Sequence, residues 1–214
     1  PVEEAIRQAL ENDGNGWGNG LTRVYDAMAM DYLYADVNNI MIMLGNHDMD
    51  RIADVVKDQD PRRVKLANVL LATMRGIPQV FYGDEYGMKS ADRSLGHSTL
   101  RMPLPLGEQV TPEQKEMFDF QSRLFQWRKG EKVIHTGKTM HFMSRDNTYA
   151  YFRYNDTEAV FVFANASEDS RTIPTAHYAE ILSLYNPVGV DILTGETVDL
   201  SKTNIKVQPL STLV

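Results

Sequence analysis

The sequence predicts an α/β region over residues 1–132, followed by an antiparallel β-sandwich domain over residues 133–214. Two observations support this prediction. Up to about residue 130, helical patterns alternate with short apolar runs, as in parallel βα structure. Beyond that point, runs rich in Val, Ile, Tyr, Phe and Thr are separated by turn signals. The hydrophobic fraction of 43% and the charged fraction of 24% are normal for a folded chain, which excludes a disordered one.

Two helices begin the α/β region. Residues 3–12 and 21–33 place apolar side chains at helical spacing, and a turn is predicted between them at 13–16. The continuous apolar run 40–44 follows and predicts a strand that is buried on both faces. Three polar residues come directly after this strand, at Asn46, His47 and Asp48.

The next segment predicts a βαβ unit. Asp60 and Pro61 have the residue types of an N-cap and a first-turn proline, and the helix that they begin ends at Gly76. The apolar run 79–82 then predicts a second buried strand. Because a helix joins the two strands, they should be parallel and the connection right-handed.

A long loop and one more helix complete the first region, and the rest of the chain is predicted as strands. The loop covers residues 90–109, and a capping box from Thr111 to Gln114 begins a helix that ends at Gly130. The predicted strands of the second domain are 139–144, 149–154, 159–164, 181–185, 188–192 and 205–207.

Two parallel strands flanked by apolar helices make a poor core, because both sheet edges and much of the helix surface stay uncovered. The order helix, strand, helix, strand, helix is instead typical of the last part of a (β/α)8 barrel. In that architecture the chemistry lies at the carboxyl ends of the strands. The residues that follow the two strands are therefore the first candidates for a functional site.

Charge and composition exclude several classes of function. The chain has 22 basic and 29 acidic residues and a net charge of −7, which argues against nucleic acid or an anionic membrane as partner. It has no cysteine, so disulfides, thiolate catalysis and cysteine-based zinc sites are excluded. No apolar run approaches the about 20 residues of a membrane span. The chain begins without Met and in a helical pattern, which we interpret as the start of a fragment.

Asn46, His47 and Asp48 are the main candidates for a site. Hydrogen-bonding groups after a buried strand are costly unless they meet a partner or a ligand. The carboxylate would stabilise a developing positive charge, and the imidazole would bind a hydroxyl. Ordinary turn chemistry is one alternative, and a metal site made of His47, Asp48 and Asp50 is another.

Other polar and aromatic residues have a structural and a functional interpretation each. Asp84 and Glu85 form either a catalytic pair or structural hydrogen bonds. Trp17, among glycines, either stacks on a sugar or base or covers the core. In the long loop, Asp92-Arg93 and Arg101 either bind a ligand or form surface ion pairs.

Two sequence motifs resemble those of the α-amylase family of glycoside hydrolases. Residues 44–48, LGNHD, are similar to the motif that follows the family's seventh barrel strand. Residues 76–88, GIPQVFYGDEYGM, are similar to its eighth-strand segment, with Phe81 where Tyr is commoner. Within the family, the chain is most similar to neopullulanases and cyclomaltodextrinases. The resemblance covers essentially the whole chain.

The resemblance implies a retaining mechanism on α-1,4-linked glucans such as starch, maltooligosaccharides, cyclodextrin and pullulan. Asp48 would be the third carboxylate of the family's catalytic set, His47 and Asn46 would bind sugar hydroxyls, and Arg51 would line the cleft. Asp84 and Glu85 would support the scaffold. The nucleophile and the general acid would lie upstream of this chain, which is therefore expected to be inactive alone.

Two alternatives stay open, and the resemblance adds further expectations. One alternative is a non-catalytic carbohydrate-binding or scaffold module, suggested by Tyr149, Tyr151 and Tyr154 as exposed aromatics. The other is a transglycosylase of the same family. Calcium stays open for the longer parent protein, and no other cofactor is implied. We expect the amino-terminal helices to expose apolar faces and promote homo-oligomers, and a periplasmic or extracellular location in a bacterium is favoured over the cytoplasm.

Overall fold

The computed structural model describes residues 2–12, 14, 16–202 and 204–214. Two residues of the turn predicted at 13–16, Asp13 and Asn15, lie outside the described residues. The α-helices are α1 Val2–Glu11, α2 Thr22–Ala29, α3 Ile52–Val55, α4 Pro61–Thr73, α5 Pro112–Gly130, α6 Lys132–Thr136 and α7 Ala179–Leu182. The strands are β1 Met41–Met43, β2 Ile77–Gln79, β3 Lys138–Arg145, β4 Thr148–Tyr154, β5 Ala159–Asn165, β6 Arg171–Ile173, β7 Val188–Val190, β8 Thr197–Asp199, β9 Ile205–Val207 and β10 Ser211–Leu213.

Strands β1 and β2 form the predicted parallel pair, with Met41 opposite Ile77. Helix α4 connects them and begins as predicted, because the Asp60 carboxylate accepts a hydrogen bond from the backbone N–H of Arg62 at 2.8 Å. Helix α5 begins with the predicted capping box between Thr111 and Gln114. These caps set the direction in which each helix leaves its loop.

The prediction that both strands are buried on both faces is wrong in this structure. Of strand β1, only Ile42 is fully buried, whereas Met41 is 55% exposed. Ile77 of β2 is 53% exposed, and Val80 and Tyr82 just beyond it are each 38% exposed. A pair of parallel strands without neighbours leaves its edges and part of its faces open to solvent.

The amino-terminal helices do not expose apolar faces, contrary to prediction. Helix α1 buries its apolar side chains, Ile6 and Leu10 among them, and α2 buries Val24 and Met28. The exposed apolar residues instead lie on β1 and β2 and on the 3-10 turn Met30–Leu33, where Tyr32 is 76% exposed. The uncovered surface therefore follows the two strands and this turn, which forms the end of the second predicted helix, 21–33.

The second region contains a four-stranded sheet in the order β10-β5-β4-β3, with every adjacent pair antiparallel. Alternation along β4 divides its side chains between two cores. Tyr149 and Tyr151 pack into the core shared with the helices of the first region. Ala150 and Phe152 face a second core. The other layer of that second core contains the β6–β9 pair and helical turns, through Ile173, Val207, Tyr178 and Ile181.

The predicted strand 181–185 is wrong, since this segment begins inside helix α7. Tyr178, Ile181, Leu182 and Tyr185 all pack on the second core, and their spacing has the helical period. Three short strands, β6, β8 and β10, were not predicted. Each has three residues, too few for alternation to be visible in the sequence.

No helix in the described part of the chain has the length and apolar character needed to cross a lipid bilayer.

Candidate active site

Asp48 lies in the turn that follows β1, and the local sequence fixes its backbone. The side-chain Oδ1 of Asn46 accepts a hydrogen bond from the backbone N–H of Asp48 at 2.8 Å. The backbone N–H of Met49 donates to the carbonyl oxygen of Asn46 at 3.3 Å. Asn46 thus has the turn-forming role that its residue type predicts, and the turn presents the next two side chains to solvent.

The Asp48 carboxylate is accessible and has a side-chain nitrogen beside each oxygen. His47 Nε2 lies 3.2 Å from Oδ2, and Arg101 Nη2 lies 3.3 Å from Oδ1. The side chains of His47 and Asp48 are 58% and 62% exposed. An exposed carboxylate in this position can approach a positively charged group of a ligand, and the imidazole beside it can bond to a hydroxyl.

Arg51 does not line the cleft as predicted, because its side chain is buried, with 1% of the residue exposed. Its guanidinium donates to the carbonyl oxygen of Tyr82 at 2.9 Å and to that of Leu100 at 2.6 Å. It also forms an ion pair with Asp84 at 2.9 Å and lies 4.6 Å from the ring centroid of Phe81. Arg51 therefore joins three segments from the inside and is not exposed to a cleft.

Asp84 and Glu85 both have structural partners. Asp84 is 5% exposed, and burial raises its pKa to about 6 although the Arg51 guanidinium favours the charged form. Glu85 accepts a hydrogen bond from the backbone N–H of Gly83 at 2.7 Å. Gly83 has a φ of +90°, a conformation that glycine adopts readily. The two carboxylates thus stabilise the turn after β2.

The segment 90–101 is attached to the turn after β1 by a series of polar contacts. Asp50 pairs with Arg93 at 2.6 Å. Asp54 accepts hydrogen bonds from the backbone N–H and the hydroxyl of Ser90 at 2.8 and 2.6 Å. Together with the Arg101 and Arg51 contacts, these interactions bring the long loop next to Asp48. Of the loop residues for which ion pairs were one interpretation, Arg93 and Arg101 form them, whereas Asp92 accepts hydrogen bonds from Ser94 instead. The Arg101 pair brings that residue next to Asp48.

Among the described residues, no group of three or more His, Asp or Glu side chains is placed to hold a metal ion. The alternative metal site of His47, Asp48 and Asp50 therefore has no support in the geometry. Asp50 has Arg93 as its partner.

The sequence motif predicts Asp48 and His47 as site residues, whereas Arg101 is only one of several charged residues of the loop. The signal for Arg101 is weak, because it lies 53 residues beyond Asp48 in the chain. Its contact depends on how Arg51 fixes the backbone at the preceding residue, Leu100. No local pattern encodes such a contact.

Two family models match the chain. The model described as "Alpha amylase, catalytic domain" matches residues 19–173. The model described as "Cyclo-malto-dextrinase C-terminal domain" matches residues 139–214. The first covers more than half of the chain, and the two matches overlap over β3–β6.

Curated relatives and solved structures are similar over most of this chain. A cyclomaltodextrin glucanotransferase of Geobacillus stearothermophilus is 25% identical over 174 residues, which are 78% of this chain and 22% of that protein. A cyclomaltodextrinase of Geobacillus thermopakistaniensis is 28% identical over 157 residues, 72% of this chain and 24% of the relative. The solved structure of the α-amylase of Geobacillus thermoleovorans in complex with acarbose superposes on this chain with a TM-score of 0.79 and a sequence identity of 19%. The alignment covers 100% of this chain and 46% of the amylase chain. The chain thus spans less than a quarter of these two relatives and less than half of the solved structure.

Proposed function

The chain belongs to the α-amylase family, and from this we propose that it forms the Asp48 side of a retaining glycosidase site for α-1,4-linked glucans. The observation that carries the proposal is the position of Asp48. Its carboxylate lies after a parallel strand, is 62% exposed and has His47 beside it. Carboxyl ends of parallel strands are where barrel enzymes place their chemistry.

The proposed role of Asp48 is electrostatic. Retaining hydrolysis passes through an oxocarbenium-like transition state, with one carboxylate as nucleophile and one carboxylic acid protonating the leaving oxygen. A third carboxylate stabilises the positive charge that develops on the sugar ring without itself forming a bond. His47 Nε2, 3.2 Å from the Asp48 carboxylate, is placed to bond a hydroxyl of the same sugar. Arg101, on the other oxygen, orients the carboxylate.

We propose that the nucleophile and the general acid belong to a segment N-terminal to this one. The uncovered strand pair supports this proposal, since Met41 and Ile77 are each more than half exposed. Further strands of a (β/α)8 barrel would pair with the open edges and bury these side chains. We place the boundary between the barrel portion and the C-terminal β domain at residues 132 and 133.

The experiment compares this chain with the longer parent protein on pullulan, cyclodextrin and soluble starch. Reducing-sugar release by the parent and none by residues 1–214 alone is the expected result. Release by the isolated chain would refute its incompleteness. A parent that acts on no α-glucan would refute the proposed function.

A second candidate function is transglycosylation, favoured by the similarity to a cyclomaltodextrin glucanotransferase. The same carboxylates serve both reactions, because only the acceptor changes from water to a sugar hydroxyl. Chromatography of the products from maltoheptaose decides between the two. Oligosaccharides longer than the substrate indicate transfer, and only shorter ones indicate hydrolysis.

The structure weakens the alternative of a non-catalytic binding module. Tyr149 and Tyr151, which suggested an exposed aromatic platform, are 1% and 0% exposed. Tyr149 donates to or accepts from His141 Nδ1 at 3.0 Å, and the Tyr151 hydroxyl lies 2.5 Å from that of Thr73. Both rings pack in the core shared by the two regions of the chain and are inaccessible to a sugar.

A further inference from the structure

Trp17 is the most exposed large apolar residue in the described part of the chain, at 82%, and the site around Asp48 does not use it. Burial of an aromatic side chain of this size would stabilise the fold by roughly 2–3 kcal/mol. Three glycines near it, Gly16, Gly18 and Gly20, have φ values of +104°, +71° and +48°. These conformations favour glycine, so the local sequence supports a loop that holds the indole in solvent.

The indole lies on one side of a groove between the two regions of the chain. The groove has a volume of about 320 Å³, within the ~300–1,000 Å³ range of small-molecule sites. The amino-terminal loop and α2 supply one wall, and the turn between β3 and β4 supplies the other. The lining includes Trp17, Tyr25, Ser144, Arg145 and Asp146.

The two walls are fixed to one another by buried contacts. The side-chain Oδ1 of Asn147 accepts a hydrogen bond from the backbone N–H of Leu21 at 2.9 Å, and its Nδ2 donates to the carbonyl oxygen of Ala166 at 3.1 Å. A Cβ at Gly20 would lie 2.2 Å from Asn147 Oδ1, so glycine is required there. The groove is therefore formed before any ligand arrives, which lowers the entropic cost of binding.

The polar groups of the groove have capacity for further hydrogen bonds. The side chains of Arg145 and Asp146 are exposed and make no hydrogen bond or salt bridge to another described residue. The Ser144 hydroxyl is buried in the wall and has no hydrogen-bond partner within the described ranges. An exposed indole that lines the same groove as a guanidinium and a carboxylate suits a ligand with an apolar face and a ring of hydroxyls.

We propose that this groove is a second glucan-binding site, distinct from the Asp48 site, in which Trp17 stacks on a glucose ring and Arg145 and Asp146 bind its hydroxyls. The choice of an α-glucan rests on the proposed function. A nucleic-acid base would also stack, but the net charge of −7 disfavours a phosphate backbone. The site would hold a polymeric substrate without taking part in its cleavage.

Tryptophan fluorescence tests the proposal on the whole chain, which contains two Trp residues. In the Trp127→Phe variant, Trp17 is the remaining indole. Addition of maltoheptaose should shift the emission of Trp17, and the shift should saturate. We expect a Kd on the order of 1 mM, which suits one stacked ring and a few hydrogen bonds. Cellohexaose serves as the control for linkage. Adding Arg145→Ala should weaken binding about tenfold.

Two further variants make the outcomes distinguishable. Asp48→Asn should leave the Trp17 signal unchanged; loss of the signal in this variant would place the sugar at the Asp48 site and overturn the second site. Absence of any saturable change would overturn it as well, while the activity of the parent protein would still test the proposed function separately. If Trp127→Phe does not fold, calorimetry compares the binding of maltoheptaose to the unsubstituted chain with its binding to Trp17→Ala. Equal affinities of the two proteins for maltoheptaose would refute the proposal.

Discussion

The buried pair of Arg51 and Asp84 is the residue-level feature on which the site is built. Arg51 connects the turn after β1, the turn after β2 and the segment that carries Arg101. Burial is the largest effect on the pKa of Asp84 and raises it. The positive charges of Arg51 and Arg7 lower this pKa, and the negative charge of Glu85 raises it. The resulting pKa is about 6. A carboxyl group beneath the site therefore titrates close to neutrality, which has a measurable consequence for stability.

We predict that Asp84 makes the chain less stable as pH rises from about 4 to 7. Because its pKa is raised on folding, the native state holds the proton more tightly than the unfolded state, and the stabilisation present at low pH is lost as pH passes about 6. Relative to Asp84→Asn, which does not titrate, the unfolding free energy should fall by roughly 2–3 kcal/mol over this window. Urea unfolding at each pH measures the difference.

The control for this experiment is Asp26→Asn, because Asp26 is exposed on helix α2. Its stability should follow that of the unsubstituted chain at every pH. A difference between the unsubstituted chain and Asp84→Asn that does not change with pH would contradict the raised pKa. An unsubstituted chain that becomes more stable relative to Asp84→Asn as pH rises would contradict the sign.

Single residues differ in how far the sequence could predict them. Asp48 and His47 are predicted as site residues because an apolar run ends directly before them and a family motif contains them. The role of Arg51 is not predicted, since an arginine three residues beyond a candidate carboxylate has no local signal for burial. Its partners lie 31 to 49 residues away in the chain, and only the folded structure brings them together.

Helices α4 and α5 determine where β2 begins. Arg128 of α5 donates to the carbonyl oxygens of Ala72 and Met74 at 2.5 and 3.4 Å and to that of Gly76 at 2.7 Å. The carboxyl end of α4 is thereby satisfied by a side chain from another helix. Burial lowers the pKa of Arg128 to about 10, so it stays charged at neutral pH and interacts favourably with the helix terminus.

We predict that Arg128→Met destabilises the chain by roughly 2–3 kcal/mol, because three buried carbonyl groups lose a charged donor. Arg123→Met on the exposed side of the same helix is the matched control and should change stability by less than about 0.5 kcal/mol. Urea unfolding monitored by circular dichroism provides both values. Equal effects of the two substitutions would show that Arg128 does not stabilise the end of α4.

Helices with clear N-cap residues and long strands with alternating apolar residues are predictable from the sequence, whereas short elements are not. Helix α4 follows from its Asp60 cap and Pro61, and strands β3 to β5 follow from their alternation. The segment 181–185 was misassigned because a short apolar run satisfies both periods. Tertiary packing decided the outcome there, since Ile181 and Tyr178 face the same core one helical turn apart.

The molecule as a whole has a well-packed second region and an incompletely covered first one. Tyr149 and Tyr151 join the sheet to the helices, so both regions share one core. Met41, Ile77, Tyr32 and Leu33 remain more than half exposed on the strand pair and the adjoining 3-10 turn. Clustered apolar side chains that are exposed to this extent are typical of a protein interaction surface.

We predict that the isolated chain self-associates in a concentration-dependent way, because it has nothing else to cover this surface. Light scattering over a range of concentrations measures the average mass. The double variant Met41→Thr and Ile77→Thr should shift association to higher concentration, whereas Leu184→Thr, at an exposed site in the second region, should not. A monomer at every concentration would contradict the prediction.

The role of Asp48 is tested most directly by the turnover of maltoheptaose by the longer parent protein and its Asp48→Asn variant. Asparagine keeps the shape of the side chain and removes its charge, and Asp26→Asn, on the exposed surface of helix α2, is the control for removing one surface charge. We predict that Asp48→Asn lowers kcat by at least about 100-fold with an unchanged melting temperature, whereas Asp26→Asn has little effect. A variant that keeps kcat within about threefold of the unsubstituted enzyme would contradict the assignment of Asp48 to the active site.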